Sequence, residues 1–262
     1  VIVAADARTI PIATGTVQAV ITSPPYWGRR SYGDDTRELG TEDLHTYIAT
    51  LAGVFDEVAR VLRPDGVAWL NIGDTAAGSG GAGGDYNDGG GKASKRKYRQ
   101  GRPTIATGDV DLLGDPVTVE MARQSWCDVP GQVGLELRRR GWLVRSTIVW
   151  DKGRRRPEPL GHVRRPGEAS ERILMLTRSM GYRFHHERLV EPGDVWHFPP
   201  GSSGPAHEAP FPDELVRRCL TPSTDPGDLV LDPFCGSSTT IRVSRACGRR
   251  AVGLDLYAGR NT

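Results

Sequence analysis

Short apolar runs recur along the chain, each bounded by turn residues and separated by stretches with helical spacing. The runs Val1–Ala4, Val17–Ile21, Val67–Asn71, Thr147–Trp150, Ile173–Leu176, Leu229–Leu231 and Ala251–Leu254 predict strands, and the β-branched Val17–Ile21 suits a buried strand of a parallel sheet. Between them, Leu44, Ile48, Leu51, Phe55, Val58 and Leu62 lie on one helical face, closed by Arg63-Pro64-Asp65-Gly66. Pro130 to Arg140 predicts a second helix with Gly141 as its cap, Pro212 to Leu220 a third, and Thr239 to Cys247, ended by Gly248, a fourth. Strand and helix in alternation predict an α/β fold: a doubly wound, mostly parallel, seven-stranded sheet. A chain of 262 residues can bury such a core as one catalytic-sized domain spanning 1–262.

One segment breaks the rhythm. Residues 76–101 read AAGSGGAGGDYNDGGGKASKRKYRQG, too rich in glycine to hold a helix or strand. Lys92, Lys95, Arg96, Lys97 and Arg99 stand here with Arg102 just beyond, and no acid lies among them. A glycine-rich basic insertion over about 76–125 is therefore expected, rooted at the carboxyl edge of the sheet. Two roles suit it: a flap that orders on a polyanion and serves target recognition, or a surface insertion without a role. Arg138-Arg139-Arg140 and the run Lys152, Arg154, Arg155, Arg156, Arg164, Arg165 repeat the basic theme. The whole-chain balance of 34 basic against 32 acidic residues, net +2, names no partner by itself. The local clusters suit a phosphate backbone.

The four cysteines form no CxxC pair and no metal-ligand spacing with the six histidines, so neither a disulfide framework nor a metal site is expected. No apolar stretch approaches the ~18 residues of a membrane span, and no signal peptide is visible. A reducing cytoplasm is the expected compartment. The chain starts at Val1 and stops just after a predicted strand, so both ends are expected to be trimmed.

Two stretches carry candidate chemistry. Residues 21–30 read ITSPPYWGRR, so a core strand ends on a hydroxyl, a double proline, an aromatic pair and two arginines. Neither proline can donate to a ladder; they stop the strand and fix where the Ser23 hydroxyl and the Pro24 carbonyl point. Residues 229–240 read LVLDPFCGSSTT. A strand ending in Asp232, a tight turn at Gly236 and a helix opened by Ser237, Ser238 and Thr239 form a ligand cradle. The next strand ends at Asp255, placed to accept hydrogen bonds from the two hydroxyls of a ribose. With one glycine and no Gly-Lys pair, this is neither a dinucleotide fingerprint nor a phosphate loop, so an adenosine without phosphates fits better than a pyrophosphate.

On these motifs the chain resembles the S-adenosylmethionine-dependent DNA amino-methyltransferases. TSPPYW is similar to their catalytic motif and DPFCGSSTT to their cofactor motif, with Ser238 where the family carries a second glycine. The catalytic motif comes first, an order similar to the family's β group. VLRPDGVAWLNIGD, GWLVRSTIVWDK, SERILMLTRS, GDVWHFPP and HEAPFPDELVRRCL resemble its linking segments. The resemblance implies a Rossmann-like, circularly permuted fold in which VIVAAD is the third strand of the cofactor half. It implies that S-adenosyl-L-methionine is held by Asp6, Asp232, Phe234, Cys235, Gly236, Ser237, Ser238, Thr239, Asp255 and Leu256. It implies double-stranded DNA as substrate, a cognate restriction endonuclease as an associated protein, and no membrane partner.

The chemistry then asks for a way to activate an exocyclic amine whose lone pair is delocalised into the base. Acceptors on its N–H groups draw the nitrogen toward tetrahedral geometry, and Ser23 and Pro24 suit that task, held by Pro25, with Tyr26 as a stacking face for a flipped base. Trp27, Arg29, Arg30, Lys92, Lys95, Arg96, Lys97, Arg99, Arg154, Arg155 and Arg156 are the candidate DNA contacts. Serine in the first position is associated in that family with N4-cytosine, with N6-adenine as the alternative. An RNA or protein amine methyltransferase and an inactive nucleic-acid-binding module are the remaining readings. Ring-carbon methylation lacks its Pro-Cys nucleophile.

Overall fold

A computed structural model describes residues 1–28, 37–77, 104–110, 116–121, 125–153, 166–201 and 212–258. The strands are β1 (Ile2–Ala4), β2 (Val17–Thr22), β3 (Leu62–Ile72), β4 (Thr104–Val110), β5 (Pro116–Glu120), β6 (Leu143–Asp151), β7 (Ser170–Thr177), β8 (Val195–His197), β9 (Leu229–Asp232) and β10 (Arg250–Asp255). The helices are α1 (Leu44–Val61), α2 (Val129–Arg139), α3 (Asp213–Ser223) and α4 (Thr239–Ala246). One sheet takes the order β1-β10-β9-β2-β3-β7-β6-β8, and β4 pairs with β5 in a separate two-stranded sheet. In the larger sheet only β7 runs against its neighbours, pairing antiparallel with both β3 and β6.

The expected seven strands are all present, and the sheet has an eighth. The addition is β8, three residues of which only Trp196 is buried; its ring packs against Trp69 with centroids 6.2 Å apart. A run so short leaves no period to detect. The Arg63-Pro64-Asp65-Gly66 turn also differs from expectation. Leu62, the cap of α1, is already extended, and the chain passes directly into β3.

Every residue of β2 is buried, because helices cover both faces of the sheet. One face packs Leu51, Phe55 and Val58 of α1 with Val133 and Leu137 of α2. The other packs Leu215, Val216 and Cys219 of α3 with Val243 of α4. Local signals set the helix ends. The Asp43 carboxylate accepts the Thr46 amide at 3.0 Å as the α1 N-cap. Gly141 and Gly248 take the left-handed conformation beyond α2 and α4, at φ +82° and +79°.

The insertion leaves and rejoins the fold at one place. The Ala77 amide donates to the Ser125 carbonyl at 2.7 Å, and the Cys127 amide to the Thr75 carbonyl at 2.9 Å. Its root lies just past β3, at the carboxyl edge of the sheet. Residues 78–103, which include the basic cluster, lie outside the described residues.

Candidate active site

The carboxyl edge gathers nearly all the residues singled out above. Ser23 to Tyr26 follow β2, Asp232 ends β9 and Asp255 ends β10, while Asp6 follows β1. Because β9 adjoins β2 but is continued through α4 to β10 on the far side, the strand order reverses between β9 and β2. Open α/β sheets bind ligands at that switch point. The two motifs, more than two hundred residues apart in sequence, touch here: Thr22 Oγ1 donates to Asp232 Oδ1 at 2.6 Å.

On the cradle side, the same Asp232 oxygen accepts the Phe234 amide at 3.1 Å, and Oδ2 is buried without a hydrogen-bond partner. Burial pushes this carboxyl up to about 6, an effect that the Thr22 hydroxyl and the Phe234 amide only partly offset. The Cys235 amide donates to the Leu254 carbonyl at 2.9 Å, so the turn is stitched to β10. Cys235 itself is buried, and its side chain fills the space over Gly253, where a Cβ would stand 2.6 Å from it. Gly236 and Ser237 form the exposed lip. Ser238 adopts φ +65°, and its side chain does not cap α4. That conformation explains why a glycine is expected at this position. The uncapped start of α4 leaves amide donors directed at the lip, where they suit a carboxylate. Asp255 accepts the Tyr257 amide at 2.7 Å and remains partly exposed, beside Leu256. Asp6 lies one strand further out and is paired with Arg8 at 3.0 Å.

On the loop side, Pro24 is buried and the Pro25 carbonyl accepts the hydroxyl of fully buried Tyr47 at 3.0 Å. Tyr26 is held hard. Its hydroxyl donates to Glu171 Oε2 at 2.6 Å and accepts from Asn71 Nδ2 at 2.8 Å, and its ring lies so close to Gly73 that a Cβ there would be 2.6 Å from it. Ser23 Oγ stands 3.3 Å from the same hydroxyl. Glu171 Oε1 receives Lys152 Nζ at 3.0 Å, with the two side chains only 12% and 18% exposed. Burial would raise the Glu171 carboxyl, but the Lys152 charge and the hydrogen bonds from Tyr26 and Asn71 outweigh it and hold the group below its ordinary value.

Trp27 corrects the expectation of a DNA contact. It is 4% exposed, its indole N–H donates to the Glu42 carbonyl at 2.7 Å, and the Gly28 amide beside it donates to the Gly40 carbonyl at 2.9 Å. Arg29, Arg30, Lys92, Lys95, Arg96, Lys97, Arg99, Arg154, Arg155 and Arg156 lie outside the described residues. Sequence reasoning missed Asn71, Gly73 and Glu171, and it read Lys152 as part of a basic run for a phosphate backbone, whereas Lys152 is committed to Glu171. One signal was present: Asn71 is a lone amide at the end of an otherwise apolar strand, 2% exposed. Among the described residues no cluster could hold a metal, the four cysteines are unpaired thiols, and no helix is long and apolar enough to cross a membrane.

A strand–turn–helix cradle and a rigid polar loop, joined across the switch point of a mostly parallel sheet, define a Rossmann-like methyltransferase architecture. The chain belongs to the DNA methylase family of N6 and N4 amino-methyltransferases, whose profile matches residues 17–260. It is similar to the type II methyltransferase M.XycI of Xanthomonas campestris pv. cyanopsidis, 35% identical over 96% of this chain and 81% of that protein. M.Cfr9I of Citrobacter freundii is 36% identical over 95% of this chain and 79% of that protein. In fold it is similar to the cytosine-N4-specific PvuII DNA methyltransferase, with a TM-score of 0.67 at 17% identity over 97% of this chain and 81% of that one. TTHA0409 of Thermus thermophilus, a putative DNA modification methylase complexed with S-adenosyl-L-methionine, gives a TM-score of 0.62 at 26% identity over 99% and 88%.

Proposed function

We propose that this chain moves a methyl group from S-adenosyl-L-methionine to the exocyclic N4 amine of a cytosine flipped out of double-stranded DNA. The observation that carries the reading is the juxtaposition of the Ser23-Pro24-Pro25-Tyr26 loop with the Asp232–Asp255 cradle, linked through Thr22. The cradle suits an adenosine with an amino-acid tail. Asp255 would hold the ribose hydroxyls, Asp6 and Phe234 would line the adenine, and the lip at Gly236, Ser237 and Ser238 with the start of α4 and Thr239 would receive the carboxylate. TTHA0409, folded alike, holds that cofactor. S-adenosylmethionine supplies an electrophilic methyl group on sulfur.

The chain's own residues do the rest. Ser23 Oγ and the Pro24 carbonyl accept the amine hydrogens and bring the nitrogen lone pair out of conjugation with the ring. Pro24 and Pro25 fix the direction of those acceptors. A neutral serine at this position, in place of an aspartate, supports cytosine N4 over adenine N6. The type II relatives support a role in DNA modification alongside a restriction endonuclease. The deciding experiment incubates plasmid DNA with the protein and labelled cofactor, digests the product to nucleosides and identifies the modified one. N4-methylcytosine is expected. N6-methyladenine would overturn the choice of base, and 5-methylcytosine the mechanism.

A further inference from the structure

A hydroxyl has one hydrogen to give and two lone pairs with which to receive. For Ser23 to accept from a substrate amine, its own hydrogen must be directed elsewhere. Tyr26 Oη, 3.3 Å away, is in place to take it. The tyrosine oxygen can do so because its own hydrogen goes to Glu171 Oε2 at 2.6 Å. Asn71 Nδ2 donates to both ends of that bond, to Tyr26 at 2.8 Å and to Glu171 Oε2 at 2.9 Å. Lys152 donates to the second carboxylate oxygen at 3.0 Å. The Ser23 and Tyr26 hydroxyls therefore both donate toward Glu171, Asn71 Nδ2 lies a further 3.5 Å from Ser23 Oγ, and the series ends in a group that must only accept. An ionised carboxylate meets that condition, whereas a protonated carboxyl or an amide does not.

We propose that Glu171, paired with Lys152, is a positioning residue that sets the direction of the Ser23–Tyr26 hydrogen-bond chain and so turns the Ser23 lone pairs toward the exocyclic amine. This rests on the reading of Ser23 as the amine acceptor. The fold makes the arrangement possible because β7 is the antiparallel strand. Its start, with Glu171, lies at the same edge as the ends of β2, β3 and β6. The groups facing Glu171 come from three elements: Lys152 beyond β6, Asn71 on β3 and Tyr26 from the loop after β2. The Tyr26 ring cannot swing aside easily, since Gly73 is packed against it.

Glu171→Gln tests the idea. The glutamine carbonyl will turn to the Lys152 ammonium, leaving its NH2 to donate to Tyr26. The tyrosine hydrogen then points at Ser23 and the serine hydrogen at the substrate amine. Turnover should fall at least about tenfold, while cofactor Kd and the KM for DNA stay within about twofold. In a Ser23→Ala background, followed by single-turnover transfer of labelled methyl, Glu171→Gln should cost nothing further. Lys152→Met removes the largest effect that opposes burial at Glu171 and leaves only the Tyr26 and Asn71 hydrogen bonds, so the acid limb of the kcat–pH profile should move to higher pH. A merely structural role would lower kcat by the same factor at every pH. Should Glu171→Gln alone fail to fold, the pair Lys152→Met with Glu171→Leu leaves no unpaired charge and removes the terminal acceptor, so the comparison of turnover with and without Ser23→Ala still applies. Normal turnover in Glu171→Gln, a loss additive with Ser23→Ala, or an unmoved acid limb would each overturn the proposal. Normal turnover in Ser23→Ala would instead overturn the reading of Ser23 on which it rests.

Discussion

Asp232→Asn is the most direct probe of the cradle, because the wild-type carboxyl sits where ionisation is costly. Asp232 is 1% exposed, and burial pushes it from an ordinary 3.8 up to about 6. An acid with a raised folded value binds more protons when folded than when unfolded. Its contribution to stability is therefore greatest below about 3.8, declines as pH rises toward 6, and stays lost above it. The full loss is about 3 kcal/mol at ~1.4 kcal/mol per pH unit, and about 2 kcal/mol of it falls between about pH 4.5 and 7.5. Asparagine keeps an oxygen for Thr22 Oγ1 and the Phe234 amide, which both donate to Oδ1. It places an uncharged NH2 where Oδ2 is buried without a partner. Urea unfolding of both proteins at those two pH values, without cofactor, gives the comparison. Relative to wild type, the variant should gain about 2 kcal/mol on going from the lower to the higher pH, whatever the fixed cost of burying the NH2. A difference between the two proteins that is the same at both pH values would refute the reasoning.

Three further outcomes follow from the geometry. Gly73→Ala places a methyl group 2.6 Å from the Tyr26 ring, which its hydroxyl bonds hold in place; turnover should fall sharply and thermal stability by roughly 1–3 kcal/mol, with cofactor affinity in calorimetric titration unchanged. Asp255→Ala should weaken cofactor binding by roughly 1.5–3 kcal/mol, the worth of a charge-assisted hydrogen bond, and unchanged affinity would remove Asp255 from the site. Ser238→Gly relieves a left-handed conformation at φ +65° that costs a side chain about 1–2 kcal/mol. Part of that gain is offset by glycine's extra freedom when unfolded, so a rise in melting temperature equivalent to about 0–1 kcal/mol is expected.

The ends of α2 and α4 were legible in the chain because their causes are local: Gly141 and Gly248 supply the left-handed turns beyond them. β8 was not legible, since a three-residue strand with one buried residue owes its pairing to β6 rather than to any pattern of its own. Trp27 shows the opposite failure. An aromatic beside a double proline reads as a contact surface, yet it is buried and its indole N–H is taken by a carbonyl fifteen residues later.

For the site, the sequence by itself determined the residues whose chemistry is carried by the backbone that holds them. Ser23 must follow a halted strand because prolines cannot continue a ladder, and a Gly-Ser-Ser turn between strand and helix must present amides. Only the tertiary structure decided what surrounds them. Asn71, Lys152 and Glu171 are polar residues at strand ends, scattered over a hundred positions, and nothing local joins them to Tyr26. They meet because β7 runs antiparallel between β3 and β6, which brings its first residues to the edge where the other strands finish. Strand order and direction come from the packing of whole helices over whole strands, so the supports of a catalytic loop become visible only once the sheet is assembled.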